Sequence, residues 1–160
     1  MNKNELLSYY VAFLRTLYLV NQNNHWLSNG ENFYGNHLLF ERIYKSAQEN
    51  ADEAAERFIG MFGMECLDFN LQSKYISEIF SKCTTSGLQT SLHMETNFLK
   101  FAEEFYEKVS EFEEFSLGLD DLIMKISDDR ESAVYLLRQA LGGKSKNIEA
   151  RKNYFSKLLK

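Results

Sequence analysis

Apolar residues recur every three or four positions through most of this chain, and no stretch alternates apolar with polar residue by residue. Leu7, Tyr10, Leu14, Leu17 and Asn21 fall on one stripe, which predicts an amphipathic helix over residues 4–28. "SNGEN" breaks it. A second pattern over 34–62 places His37, Phe40, Tyr44, Ala47, Ala51, Ala55 and Phe58 on neighbouring faces, and Gly60 and Gly63 mark its end. The stretch after it is less regular and predicts a connector with a short helix over 72–81. A third helix starts near Leu88 and runs through "FLKFAEEFYEKVSEFEEF", with a bend expected near Gly118. "SDDRES" predicts a turn and a new start, with Asp or Ser as N-cap, so the last helix begins near Arg130. Gly142 and Gly143 are expected to kink or split it. Four long helices with a short one in the middle connector make an all-α helix bundle.

Length and composition support one domain. A chain of 160 residues buries a sizeable core without disulfides. Proline is absent, which suits long uninterrupted helices, because a helix-interior proline costs roughly 3 kcal/mol. Cys66 and Cys83 form no CxxC pair, and a reducing cytoplasmic setting is the simplest reading. The apolar opening is interrupted by Arg15, lacks a small-residue cleavage site and follows a helical period. It is therefore read as neither a secretory signal nor a membrane span. The net charge of -5 gives no overall drive toward nucleic acid.

The chemistry gathers in "HWLSNGENFYGNHLLFERIY", which holds two of the three histidines, His25 and His37. On the second helix His37 and Glu41 are four apart, as are Asp52 and Glu56, and all four lie within an arc of roughly 100°. Residues at i and i+4 reach one ion together because they stack on one face. Along the axis, however, His37 and Asp52 are about 22 Å apart. One chain cannot bring both pairs to one ion, whereas two copies packed antiparallel about a twofold axis bring each His37/Glu41 to the partner's Asp52/Glu56. Taken singly, such carboxylates are ordinary helix surface. A di-iron site inside one bundle uses Glu-x-x-His, and Gln22, Tyr34 and Thr90 stand three before the histidines here.

The run "HW…G…F…H…FE..Y" followed by "DEAAER" resembles the Dps family, the DNA-binding proteins from starved cells, which are miniature ferritins. The family pairs His-Trp on the first helix with a second His twelve residues later, an acid four on, Asp eleven further and Glu four beyond. His25-Trp26, His37, Glu41, Asp52 and Glu56 match every interval. The resemblance is strongest over residues 24–63 and extends weakly along most of the chain through the helix order. It implies a ferritin-like four-helix bundle and a cytoplasmic homo-oligomer, a hollow dodecamer built from twofold dimers. It implies ferroxidase sites with His25 and His37 from one subunit, Asp52 and Glu56 from the other, and Glu41 assisting. The implied reaction is Fe(II) oxidation, preferably by hydrogen peroxide, with ferric iron stored inside and oxidative damage limited. Imidazole with carboxylate suits iron, and zinc is the substitute such donors accept. Trp26, beside a ligand, is either a redox-assisting group or a large interface side chain.

The sequence also departs from the family. Ser28 and Asn36 replace usual aliphatic residues, and Leu38 and Arg42 stand where some members carry mineral-nucleating acids. Those departures motivate a second reading, a diverged shell or DNA-associated structural protein with weak or no ferroxidase activity. Residues 144–160 carry six Lys/Arg against Glu149 alone. A docked basic helix end explains them better than a DNA-contacting tail does, and the lysine-rich arm of some DNA-binding members is missing. "GGKS" imitates a phosphate loop, but Arg138 replaces its first glycine and no strand precedes it. The run Glu103 to Glu114 reads as a solvated face, His93 as structural, and Asp120 and Asp121 as a polar face or turn.

Overall fold

The computed structural model describes residues 1–83 and 85–143. Five helices follow in the order α1 (Lys3–Leu27), α2 (Phe33–Phe62), α3 (Phe69–Phe80), α4 (Leu88–Val109) and α5 (Leu117–Ala140), with one 3-10 turn at Met64–Cys66. The bundle is the expected one: α1, α2, α4 and α5 are long, and α3 is the short helix in the connector between the second and third of them. No strand occurs among the described residues. The basic segment at 144–160, predicted to end the chain as a docked tail, lies outside them.

Local chemistry starts and stops these helices. Asn2 and Glu5 close a capping box on α1, with Asn2 Oδ1 accepting from the Glu5 amide at 2.9 Å and Glu5 Oε2 from the Asn2 amide at 2.8 Å. Gly63 ends α2 at φ 86°, a left-handed conformation that side chains other than glycine's resist. Asp68 accepts from the amides of Asn70 and Leu71 to start α3, and Ser116 accepts from Leu119 to start α5.

Packing is aromatic at one end and lean along α2. The Tyr10 ring lies 4.2 Å from that of Phe105 and 5.4 Å from that of Phe98, and Phe13 stacks on Phe101. All five are buried, and burying each such side chain is worth about 1.5–3 kcal/mol. On α2 the buried positions include Ala47, Ala51 and Ala54, small enough to let α1 come close along most of its length.

Two boundaries differ from expectation. α4 stops at Val109 rather than continuing through Phe115, and residues 110–116 turn the chain back. That turn is anchored: the Phe112 ring meets Phe62 edge-on at 6.0 Å, Phe115 meets Tyr106, and Lys3 pairs with Glu114 while lying 4.3 Å from the centre of the Phe62 ring. The second difference is larger. "SDDRES" is not a turn but the middle of α5, which runs unbroken across Arg130 from Leu117 to Ala140 and ends before Gly142 and Gly143. Asp129 and Arg130 point into the bundle, while Asp128, Glu131 and Ser132 stay exposed. Asp129 Oδ2 accepts from Asn50 Nδ2 at 2.8 Å, and Arg130, fully buried, reaches Glu95 on α4 and the Ser46 hydroxyl on α2. A buried ionic cluster has the composition of a solvated turn, so the sequence pattern misplaced the boundary.

Arg130 Nη1 lies 3.4 Å from Glu95 Oε1, which also accepts from Asn21 Nδ2 at 3.2 Å. Burial pushes the Glu95 carboxyl up, against the opposing pulls of Arg130 and the Asn21 bond. The pair thus selects which helices meet, at a desolvation cost that packing elsewhere offsets. Glu95→Leu alone strands the guanidinium and is expected to lower stability by about 3–5 kcal/mol, whereas Glu95→Leu with Arg130→Met recovers most or all of it. Denaturant unfolding at matched protein concentration checks both, and equal losses in the single and double variants would contradict this account.

Candidate metal half-site

His25 sits in the last turn of α1 and His37 in the second turn of α2, joined by the short link through Gly30. Asn24 fixes the end of α1. Its Oδ1 accepts from the Gly87 amide at 2.8 Å, and its Nδ2 donates to Ser91 Oγ at 2.8 Å and to the Gly87 carbonyl at 3.3 Å. Ser28, a departure from the family pattern, donates from Oγ to the Asn24 carbonyl at 2.8 Å and so closes the helix terminus.

The two imidazoles are locked reciprocally. His25 Nδ1 donates to the His37 carbonyl at 2.9 Å, and His37 Nδ1 donates to the His25 carbonyl at 3.0 Å. The rings stack with centroids 3.7 Å apart and planes 24° from parallel. A carbonyl oxygen has no proton to give, so each Nδ1 must carry the hydrogen. In the neutral rings each Nε2 then presents its lone pair, the form in which histidine binds a metal with its other nitrogen oriented by a backbone carbonyl. Phe33 lies along the outer face of His37 at 5.1 Å, and Tyr44 meets His25 edge-on at 5.4 Å.

Glu41 is one turn beyond His37 and half-buried. Its carboxylate pairs with Lys45 Nζ at 2.5 Å. The Lys45 hydrogen bond and then the Lys45 charge hold the Glu41 carboxyl below the usual range, and His25 and His37 add smaller pulls, so all three cationic or ionisable partners lie close to it. The same pairing raises Lys45.

Asp52 and Glu56 are exposed on α2, away from the histidines. Asp52 lines an open groove of about 670 Å³ with Arg15, Tyr18, Lys45 and Gln72. Among the described residues, no three of His, Cys, Asp and Glu converge within one chain. The chain therefore brings His25 and His37 together, sets Glu41 one helical turn beyond His37, and leaves Asp52 and Glu56 apart. Trp26 is 66 % exposed, and Leu27, Phe33, Tyr34 and Leu38 extend an apolar surface around the histidines. His93 pairs with Asn97 at 2.9 Å. Asn24, Ser91 and Gly87 went unread in the sequence, although asparagines at 21 and 24 on an apolar stripe were a signal.

No protein-family model matches the sequence, and no curated protein does. Solved structures do. The chain is similar to Dps from Thermosynechococcus elongatus at 21 % identity and TM-score 0.71, covering 93 % of this chain and 94 % of that one. Dps from Microbacterium arborescens, in a high iron form, matches at 18 % identity and TM-score 0.69, over 89 % and 97 % of the two chains. A C-terminal deletion mutant of Mycobacterium smegmatis Dps matches at 19 % identity and TM-score 0.68, over 86 % and 95 %. The fold is thus the ferritin-like bundle of Dps structures.

Two outcomes test the geometry. Nitrogen-15 NMR of the metal-free protein is expected to find both neutral imidazoles protonated at Nδ1, and an Nε2–H tautomer at either would break the reciprocal lock. Lys45→Gln is expected to raise the Glu41 pKa toward the ordinary carboxylate value, because a lowering partner is removed. Carbon-13 carboxyl titration reads this directly, and an unchanged midpoint would show Lys45 disengaged.

Proposed function

We propose that this chain is a diverged Dps-like mini-ferritin subunit. It binds Fe(II) at sites shared between two subunits, oxidises it, preferably with hydrogen peroxide, and stores ferric iron in a hollow cytoplasmic homo-oligomer, a dodecamer of twofold dimers. The observation that carries the reading is the reciprocal His25/His37 arrangement, which frees two Nε2 lone pairs beside the Glu41 carboxylate. Asp52 and Glu56 of the partner subunit complete each site. Their exposure on α2 fits that role, as does the apolar surface about Trp26 and Tyr34. Resemblance of the bundle to Dps structures supports the same conclusion.

Iron is the substrate here. Imidazole nitrogens and carboxylates bind Fe(II) and stabilise Fe(III) more strongly as charge grows, which favours oxidation in place. Two ferrous ions and one peroxide balance as 2 Fe(II) + H2O2 + 2 H+ giving 2 Fe(III) + 2 H2O. Lys45 supports a second reading, a shell with weak ferroxidase activity, because its ammonium already occupies Glu41. DNA contact through 144–160 is the less favoured role, and zinc is the competing ion.

A complementation experiment separates these readings. His25→Ala/His37→Ala and Asp52→Asn/Glu56→Gln variants are each expected to lose fast Fe(II) oxidation by peroxide. Co-assembled from equal amounts, they should regain about a quarter of the sites, since half the dimers are mixed and each mixed dimer has one intact site of two. No recovery from properly assembled mixtures would refute shared sites. Wild-type oxidation no faster than free iron would refute the enzyme reading and leave the shell.

A further inference from the structure

We propose that the outward face of α5 is the seat of the chain's own basic segment, residues 144–160, which packs back along it and has its charge neutralised there. α5 leaves one stripe uncovered by the bundle. Leu117, Asp121, Met124, Asp128, Glu131 and Tyr135 recur at four- and three-residue steps, all within an arc of roughly 80°. Leu117 is 87 % exposed, Met124 62 % and Tyr135 61 %, and the three acids between them are exposed too. No Lys or Arg falls within the arc. Lys125 beside it is taken up by Glu53 on α2, at 2.6 and 2.7 Å. The face is thus apolar and anionic at once, and what covers it must be apolar and cationic.

The chain itself supplies such a partner. Residues 144–160 hold six of its 18 Lys/Arg but, of its 23 Asp/Glu, only Glu149, so everything before them is strongly acidic. Ile148, Phe155 and Leu159 interleave apolar side chains with those cations. Delivery is local. α5 ends in a Schellman closure, with the Gly142 amide donating to the Gln139 carbonyl at 2.9 Å and the Gly143 amide to the Arg138 carbonyl at 2.9 Å. Gly142 at φ 83° and Gly143 at φ 66° are both left-handed, which turns the chain off the helix axis instead of letting α5 run on. From there the segment reaches at most roughly 55–60 Å, and Leu117 to Tyr135 spans about 27 Å along α5, so its length suffices. A tether this short gives it an effective concentration in the millimolar range, which nucleic acid or a second subunit must exceed. Docked on α5, its cations are withheld from polyanions until salt or a competing polyanion releases them.

The test is carbodiimide cross-linking of the full-length protein, which joins carboxylates to lysines in direct contact, followed by peptide mapping. Links from Asp121, Asp128 or Glu131 to Lys144, Lys146, Lys152 or Lys157 are expected. Mixing nitrogen-14 and nitrogen-15 chains before assembly assigns each link within or between subunits, and links within one subunit are expected. A second readout uses Asp121→Asn/Asp128→Asn/Glu131→Gln. Tryptic cleavage after Arg151 and Lys152 should speed up by about tenfold in this variant, and its affinity for duplex DNA at low salt should rise by a similar factor. Glu103→Gln/Glu107→Gln/Glu111→Gln removes as much charge from exposed positions elsewhere and should change neither. Links that join different subunits would overturn the proposal and make a second copy the occupant. Absence of links to the α5 acids overturns it too, and tight DNA binding by the wild type would then assign the segment to nucleic acid. Equal gains from both triple variants would trace the effect to net charge alone and also overturn it.

Discussion

A guanidinium carries five N–H donors and no acceptor, and in the centre of this bundle Arg130 has no exposed surface through which to meet water. Its guanidinium must find protein partners, and those partners fix which helices meet. Glu95 ties it to α4, the Ser46 hydroxyl ties it to α2, and Asn21 reaches the same carboxylate from α1. Arg130 and its Glu95 partner together thereby link all four long helices. Apolar burial is non-directional, so it specifies the register of one helix along another less sharply than a polar partner does. A buried charge is not indifferent. A shift of one turn, about 5.4 Å, would strand it.

From that pair the constraint passes to the histidines through asparagine. Asn21 and Asn24 lie three residues apart on the buried stripe of α1, so the turn that bonds Glu95 is followed directly by the turn that holds Gly87 and Ser91. The end of α1 is consequently held against the start of α4 before the chain crosses to α2. A helix terminus leaves its last carbonyls without partners. Here the His25 carbonyl is met by His37, and the bond returns in the opposite direction. Closing the helix end and orienting the imidazole rings are therefore one event, and disordering the link through Gly30 would undo both.

Much of this was legible in the residues. Apolar spacing located four long helices and the short one, because solvent-facing and core-facing positions differ in kind along each of them. The spacing of His37, Glu41, Asp52 and Glu56 on one helix already implied that the histidine and the Asp52/Glu56 pair lie far apart within one chain, as they do. Legibility failed where polarity and burial part company. The run containing Asp129 and Arg130 carries the chemistry of a turn, and nothing local says that Asn50 and Glu95 await it across the bundle. The stack of the imidazoles was equally hidden: twelve residues of separation are compatible with contact, but only the folded link decides it. The Glu41–Lys45 pair was visible as an i, i+4 spacing, yet its place beside the two imidazoles emerges only in the fold.

The division of ligands along a rigid helix has an energetic consequence on the proposed reading. α2 spaces the histidine and carboxylate pairs by about four turns, and a helix does not shorten to bring them together. A complete site then exists only in the dimer, so each ion bound to it stabilises the dimer by mass action. Reciprocity requires the converse: forming the dimer through the contact around Trp26 and Tyr34 raises iron affinity by the same factor by which iron favours the dimer. Lys45 belongs to this balance. In the separate chain its ammonium neutralises a carboxylate that would otherwise face two aligned imidazoles without a cation. Its displacement is part of the cost of metal binding, and the partner's carboxylates, absent from the lone subunit, are what must offset that cost.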